Sequence, residues 1–259
     1  MSESEKNDLH PPGPVVTIKY VDDTSVLHVS CDDSDDTLQN AAEYLSGWAE
    51  RNNMIFNVKK TKEIVFQNGR KSTNLQQIYI GDSVIERVHE AKVLGVVIQA
   101  NLKWNSHISN IVKKANKRLF LLRLCKRAGV KTCDLIEIYT SLVRSLLEYC
   151  CVVWHPALPN YLHDDLERVQ KRALVIIFPG VDYQTSMQMA KVNTLYDRRE
   201  MLCRKLFKSV LMPNHKLHNC LPDVPQHDYN LRRQTIPHVM SRTTKFAKTF
   251  IPFCLKKFR

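Results

Sequence analysis

The hydrophobic residues of this 259-residue chain change their spacing near residue 102, and this change most strongly limits the folds open to it. Before residue 102, short runs of β-branched and aromatic residues alternate with turn residues, which is typical of strands. After it, apolar residues recur every three to four positions, which is typical of amphipathic helices. The sequence therefore predicts an α+β fold, with strands and one helix over residues 15–100 and an all-α bundle over residues 101–212.

Individual elements follow from the same patterns. Residues 15–20 and 25–30 predict a β-hairpin, and further short strands are predicted at 63–67, 77–80, 84–88 and 92–98, with a turn at Gly81-Asp82-Ser83. Four acids, Asp32, Asp33, Asp35 and Asp36, precede a helical pattern over 38–49, where they favour a helix N-terminus. Further helices are predicted around 108–122, 135–147, 166–177 and 195–210. Residues 1–14 are predicted to be a disordered leader and residues 213–259 a basic irregular tail.

Charge is distributed unevenly along the chain. The net charge is +12, yet residues 1–36 contain nine acids and only two lysines, and the last 29 residues contain eight Lys or Arg and no acid. A long basic region favours a polyanionic partner, most simply nucleic acid. No segment combines a basic face with an exposed aromatic face well enough to favour a membrane surface.

The location of the protein is predicted from three absences in the sequence. There is no apolar run of about 18 residues to span a membrane, and the polar, acidic N-terminus has no signal-peptide pattern. None of the eight cysteines forms a C-x-x-C pair, so we interpret them as reduced and structural. We expect an intracellular protein, nuclear or cytoplasmic, that is not secreted.

The hairpin tip carries the strongest chemical signal, Tyr20-Val21-Asp22-Asp23. Adjacent carboxylates in a straight strand point to opposite faces, but at a turn both can approach one divalent cation. Mg²⁺ takes oxygen ligands, usually one or two carboxylates together with substrate phosphates. An ordinary polar turn is the alternative interpretation of the same residues.

Further motifs follow in a fixed order, and together with the hairpin they resemble a known family. They are Asn57-Val-Lys-Lys-Thr-Lys62, Val93-Leu-Gly-Val-Val97, Leu102-Lys-Trp-Asn-Ser-His-Ile108, Val153-Trp-His-Pro156 and Leu166-Glu-Arg-Val-Gln-Lys-Arg-Ala173. The chain resembles the reverse transcriptases of non-LTR (LINE-type) retrotransposons over about residues 15–212. In that family a Tyr-x-Asp-Asp hairpin lies in the polymerase palm.

The resemblance implies a role for each matching residue. Asp22 and Asp23 are expected to bind the catalytic metals, Mg²⁺ or Mn²⁺. Lys60 and Lys62 are expected to lie near the phosphates of the incoming nucleotide. The expected partners are an RNA template and a DNA primer or duplex, contacted without sequence preference.

The resemblance also assigns regions. Residues 15–100 are expected to form a partial palm, in which Leu94 and Gly95 turn the primer grip, and residues 101–212 a thumb-like bundle. Four cations in the first helix of that bundle are expected to contact the nucleic-acid backbone: Lys113, Lys114, Lys117 and Arg118. A solvated basic face, a basic loop at 57–62 and a simple strand bulge at Gly95 are the alternative interpretations.

The family's palm includes a further catalytic carboxylate upstream of the hairpin. Only 19 residues precede Tyr20 here, and they contain Asp8 in a polar segment without a strand pattern, so we expect the fingers to be absent as well. We therefore expect a truncated polymerase region that is inactive alone, since two-metal chemistry needs carboxylates for both ions. A non-catalytic RNA- or DNA-binding module and a protein-interaction remnant are the alternatives.

Overall fold

The computed structural model describes residues 9–30, 35–66, 75–223, 239–241 and 243–258. The chain divides into two compact units, unit 1 (residues 1–102) and unit 2 (residues 103–259). The boundary coincides with the change in hydrophobic spacing. The structure combines helices, 54% of the described residues, with small sheets, and this is compatible with the predicted α+β class.

Unit 1 contains a β-hairpin that packs on one helix. The predicted hairpin is confirmed, although its second strand begins two residues earlier than predicted, so that only Val21 and Asp22 lie between the antiparallel strands. Directly opposed residues share a face of the sheet, and one face turns to the helix, where Val26 packs against Leu45 and Trp48. The elements are β1 (Val15–Tyr20), β2 (Asp23–His28) and α1 (Thr37–Arg51).

One acid ahead of α1 anchors the helix to the hairpin. Asp35 accepts a hydrogen bond from the backbone N–H of Thr37 at 3.0 Å, and its other oxygen lies 2.6 Å from Nε2 of His28. These hydrogen bonds lower the pKa of Asp35, and the Asp35 carboxylate in turn raises the pKa of His28. The predicted role at the helix N-terminus is thus confirmed for Asp35, whereas Asp32 and Asp33 lie outside the described residues.

Short strand pairs complete unit 1, and here the sequence prediction was partly wrong. The turn at Gly81-Asp82 is confirmed, but residues 92–98 form a hairpin that reverses at Leu94-Gly95 rather than one strand. In place of the strands predicted at 63–67 and 84–88, the structure has two-residue strands at 62–63 and 86–87 that pair in parallel. The long connection between them permits this pairing. Residue 67 lies outside the described residues. The strands are β3 (Lys62–Glu63), β4 (Tyr79–Ile80), β5 (Ser83–Val84), β6 (Glu86–Arg87), β7 (Glu90–Val93) and β8 (Val96–Gln99).

Unit 2 is helical. Its main core is formed by the predicted apolar stripes, with Leu122, Leu135, Leu166 and Leu195 each at 0% exposure. In the described part of the chain, no helix is both long and apolar enough to cross a membrane. The helices are α2 (Asn105–Arg127), α3 (Thr132–Ile138), α4 (Ser145–Glu148), α5 (Cys151–Trp154), α6 (Asn160–Ile177), α7 (Tyr183–Ala190), α8 (Leu195–Val210), α9 (Thr244–Ala247) and α10 (Phe250–Phe258).

The helix predicted around 135–147 is not uniform. A π-helical segment, Tyr139–Arg144, separates α3 from α4. Within this segment, the carbonyl of Leu142 accepts a hydrogen bond from the Arg118 guanidinium on α2. Cys150 then adopts a left-handed conformation (φ 49°) that ends this stretch before α5.

Helices α2 and α6 pack side by side in parallel. Asn105 donates to the Tyr161 hydroxyl at 2.8 Å near their N-termini, and Lys126 donates to the Ile177 carbonyl at 3.1 Å near their C-termini. Between these contacts, Arg172 donates to Asn116 Oδ1 at 3.2 Å. Packing against α6 therefore holds α2, the helix that carries the candidate backbone-binding cations, in position.

A buried polar network joins four helical elements of unit 2. Gln170, at 0% exposure, accepts a hydrogen bond from the Tyr139 hydroxyl at 2.6 Å and donates to the Tyr183 hydroxyl at 2.8 Å and the Asn193 carbonyl at 3.0 Å. Tyr183 donates in turn to Glu167, whose second oxygen accepts the Leu195 N–H at 3.0 Å, at the start of α8. Because each polar atom named here has a partner, the network fixes the positions of these elements at little desolvation cost.

Parts of the predicted leader and tail pack against the two units. Within the predicted irregular tail, α10 docks on α8, and Cys254 and Leu255 are buried against Cys203. This part of the prediction was wrong because α10 is too short for its periodicity to be recognised, and its apolar residues find partners only in the folded chain. Of the predicted leader, residues 1–8 lie outside the described residues, but Leu9 is buried against α1.

Candidate functional site

The tip of the β1–β2 hairpin presents both candidate metal ligands. Asp22 lies in the two-residue turn and Asp23 is the first residue of β2, directly paired with Tyr20. Both carboxylates are exposed, as is 61% of Tyr20. Since paired residues share a face, Asp23 and Tyr20 project to the same side of the hairpin.

The turn itself is strained. Val21 has a φ of 53°, a conformation that suits glycine and is costly for a β-branched side chain. Such strain costs about 1–3 kcal/mol and is concentrated at functional sites, where surrounding structure holds it. The sequence motif gave no indication of this strain.

The carboxylate pair suits a divalent cation only in part. Carboxylate oxygens are the donors that Mg²⁺ prefers, and the ion usually needs one or two of them together with substrate phosphates. Among the described residues, however, no group of three or more acids, histidines and cysteines is arranged to hold a metal ion. Asp22 and Asp23 can therefore contribute to a metal site, but the rest of the ligands must come from elsewhere.

The two candidate phosphate-binding lysines differ in their surroundings. Lys62 lies in β3 and forms an ion pair with Glu86 across the parallel strand pair. Lys60 is exposed in the preceding turn, where its backbone N–H donates to Asn57 Oδ1 at 3.2 Å. In the described residues no hydrogen bond or ion pair joins either lysine to the hairpin tip. Lys60 is thus the lysine with its ammonium group available.

Leu94 and Gly95 form the two-residue turn between β7 and β8. Both have positive φ angles, 45° and 87°, as a type I′ hairpin turn requires. Glycine adopts this conformation without cost, whereas leucine does not. The Leu-Gly pair therefore does reverse the chain, but as a hairpin rather than within one strand.

Helix α2 forms a strongly basic surface. Its 23 residues carry seven Lys or Arg and no acid. Lys113, Lys114 and Lys117 are exposed, and Lys113 and Lys117 are neighbours one turn apart. Arg118 is exposed as well, but its guanidinium is engaged with the Leu142 carbonyl, so the structure assigns it a contact within the bundle.

The sequence did not predict a buried cluster in unit 2, in which one arginine contacts two histidines. Arg199 on α8, at 0% exposure, donates from Nε to His155 Nδ1 at 3.4 Å, and its Nη2 lies 3.3 Å from His163 Nδ1. Burial and the nearby guanidinium lower the pKa of His155 to about 3 and that of His163 to about 4. Both imidazoles are therefore neutral at pH 7 and can accept these hydrogen bonds. The one available signal was spacing, because Arg199 lies four residues from both Leu195 and Cys203 on the apolar stripe of α8.

Comparisons with known proteins give two curated relatives. The chain is 26% identical over 155 residues to the RNA-directed DNA polymerase from mobile element jockey of Drosophila funebris. It is likewise 26% identical over 156 residues to the probable RNA-directed DNA polymerase from transposon X-element of Drosophila melanogaster. Each match covers 58% of this chain and 17% of the relative, so the chain spans a small part of the proteins it matches. No protein-family model and no solved structure matches the chain.

These relatives confirm the resemblance stated from the motifs. The chain contains a region similar to the RNA-directed DNA polymerases of non-LTR retrotransposons.

Proposed function

We propose that this chain supplies the catalytic hairpin and the thumb of a retrotransposon RNA-directed DNA polymerase. Unit 1 acts as part of the palm, and α2 with its neighbours acts as the thumb. The observation that carries the proposal is the pair of exposed carboxylates at a strained hairpin tip, in a chain similar to such polymerases.

The residues of the tip hold the metal in this proposal. Asp22, supported by Asp23, ligates Mg²⁺ or Mn²⁺, and a cation held there supplies charge neutralisation at the nucleotide phosphates. Lys60 adds positive charge for those phosphates, since its ammonium group is exposed. Lys62 contributes less because Glu86 neutralises it.

The thumb contacts the backbone of the template–primer duplex. Lys113, Lys114 and Lys117 offer exposed ammonium groups on an acid-free helix. Contacts of this kind are independent of sequence and weaken steeply with salt.

We further propose that the chain does not extend primers by itself. Nucleotidyl transfer by two metals needs carboxylates that hold both ions. No described acid, histidine or cysteine joins Asp22 and Asp23 in a metal-binding cluster. A second candidate function, a non-catalytic nucleic-acid-binding module, is favoured by the charge of α2 alone.

Metal binding at the hairpin is tested with Tb³⁺, which substitutes for hard oxygen-bound cations. Tyr20 lies opposite Asp23 and is positioned to sensitise Tb³⁺ luminescence. The Asp22→Asn/Asp23→Asn variant should lose the signal, and Asp82→Asn, at the tip of the β4–β5 hairpin, should keep it. Equal luminescence in all three proteins would contradict the metal-binding role and leave the binding-module candidate.

Catalysis and duplex binding are measured separately. Primer extension by the unaltered chain on poly(rA)/oligo(dT) with Mg²⁺ or Mn²⁺ should give no product. If the unaltered chain does extend the primer and Asp22→Asn/Asp23→Asn does not, the proposed inactivity is refuted. An RNA–DNA duplex should bind, and Lys113→Gln/Lys114→Gln/Lys117→Gln should reduce the salt slope by about 2 to 3, at roughly 0.7–0.9 per lost contact. Absence of duplex binding by the unaltered chain would overturn the proposed thumb role.

A further inference from the structure

The C-terminal helix α10 packs on α8 and covers part of its surface. Cys254 and Leu255 of α10, at 0% and 2% exposure, pack against Cys203 and Phe207 of α8. Lys257 reinforces the contact through an ion pair with Glu200, and its Nζ lies 5.5 Å from the centre of the Tyr196 ring. The two helices therefore present one continuous surface, although they are separated by about forty residues in the sequence.

This surface is basic. Among the described residues from 201 to 258 there are eight Lys or Arg and one acid, Asp223. We call Arg204, Lys205 and Lys208 the α8–α10 face. Lys208 is one helical turn from both Arg204 and Lys205, and the Arg204 guanidinium lies 5.5 Å from the centre of the ring of Phe258 on α10. All three cations are exposed.

Within α8, no acid after Glu200 compensates for the charge repulsion among these cations. Glu200, the acid on the same side of α8, already pairs with Lys257. Like charges one turn apart on a helix destabilise it, and an anion with closely spaced charges relieves this repulsion. The stacking of Arg204 on Phe258 also restricts that side chain before any ligand binds, which lowers the entropy lost on binding.

We propose that the α8–α10 face is a second binding surface for the phosphate backbone of nucleic acid, additional to α2. The proposal rests on the nucleic-acid-binding role proposed above and adds a surface to it. An anionic membrane fits less well, because α10 would have to insert its apolar side, and Pro252, Cys254 and Leu255 on that side are already buried in the protein. Phosphates need only the cations, and these point outward.

The test measures the salt dependence of binding to an RNA template carrying a short DNA primer and a single-stranded RNA overhang. The variant Arg204→Gln/Lys205→Gln/Lys208→Gln should make the slope of log K against log salt less negative by about 2 to 3, at roughly 0.7–0.9 per contact. Extrapolated from 1 M salt, this corresponds at 100 mM salt to an affinity weakened about 100- to 500-fold. The matched control, Lys92→Gln/Lys131→Gln/Lys191→Gln, removes the same charge from other exposed positions and should change the slope little.

The α2 variant Lys113→Gln/Lys114→Gln/Lys117→Gln separates the two proposals. If it lowers the slope while the α8–α10 variant behaves like the control, the second surface is refuted and the thumb role stands. If the unaltered chain does not bind at all, both proposals fail. If the α8–α10 variant loses binding to phosphatidylserine vesicles but keeps its affinity for nucleic acid, the surface is a membrane contact and the inference is wrong.

Discussion

Replacing Gln170 by leucine should destabilise unit 2 strongly. Gln170 is fully buried and is the partner of both the Tyr139 hydroxyl and the Asn193 carbonyl. Leucine is of similar size, so the loss is mainly of hydrogen bonds. A buried polar group left without a partner costs about 1–3 kcal/mol. The Tyr139 hydroxyl is such a group, whereas Asn193 is exposed and its carbonyl can bind water instead, so we expect a loss of about 1–3 kcal/mol in the free energy of unfolding.

The assay is urea unfolding followed by tryptophan fluorescence in a Trp48→Phe background, since the remaining Trp104 and Trp154 both lie in unit 2. Gln188→Leu on α7 is the matched control, because Gln188 is exposed and its replacement should change stability by less than about 0.5 kcal/mol.

Tyr139→Phe completes a double-mutant cycle with Gln170→Leu. Because the double variant leaves no orphaned Tyr139 hydroxyl, its loss should be smaller than the sum of the two single losses. An unfolding midpoint for Gln170→Leu equal to that of Gln188→Leu would refute the argument that this network holds the helices in place.

Three further predictions concern local features of each unit. Because of His155 alone, the free energy of unfolding of unit 2 should fall by about 2–3 kcal/mol between pH 7 and pH 4.5. The pKa of His155 is about 3 in the folded state and 6.5 in the unfolded state. The unfolded state therefore binds the proton first, and stability falls as the pH drops below 6.5. His155→Phe should flatten this dependence in urea titrations at several pH values. Gly95→Ala should cost unit 1 about 1 kcal/mol because alanine is strained at a φ of 87°, and an unchanged thermal midpoint would argue against the observed turn. Thr194→Ala should cost about 1 kcal/mol in chemical denaturation by removing the cap that accepts the Asp197 N–H at 3.1 Å, whereas Thr194→Ser should retain most of it.

The hairpin shows what local sequence can predict. Its strands, its turn and the exposure of Asp22 and Asp23 follow from residues within a few positions of one another. The strain at Val21 does not, because valine ordinarily avoids a positive φ, and only the antiparallel pairing of Tyr20 with Asp23 forces it there.

The basic residues show the opposite limit. The sequence treats Lys113 and Arg118, or Lys60 and Lys62, as equivalent cations. In the folded chain Arg118 is engaged with Leu142 and Lys62 with Glu86, each 24 positions away, so only part of each set stays available to a ligand.

Local sequence patterns by themselves determined the two-part organisation, the helical faces of unit 2 and the acidic hairpin, because these features depend on residues that are close together in the sequence. Tertiary structure alone decided that Arg199 meets His155 and His163, that Gln170 joins four elements, and that α10 completes a surface on α8. The physical reason is that burial and pairing depend on which distant segments meet. A periodic pattern marks a face as apolar or basic, but only its packing partner determines whether that face is covered or left free to bind.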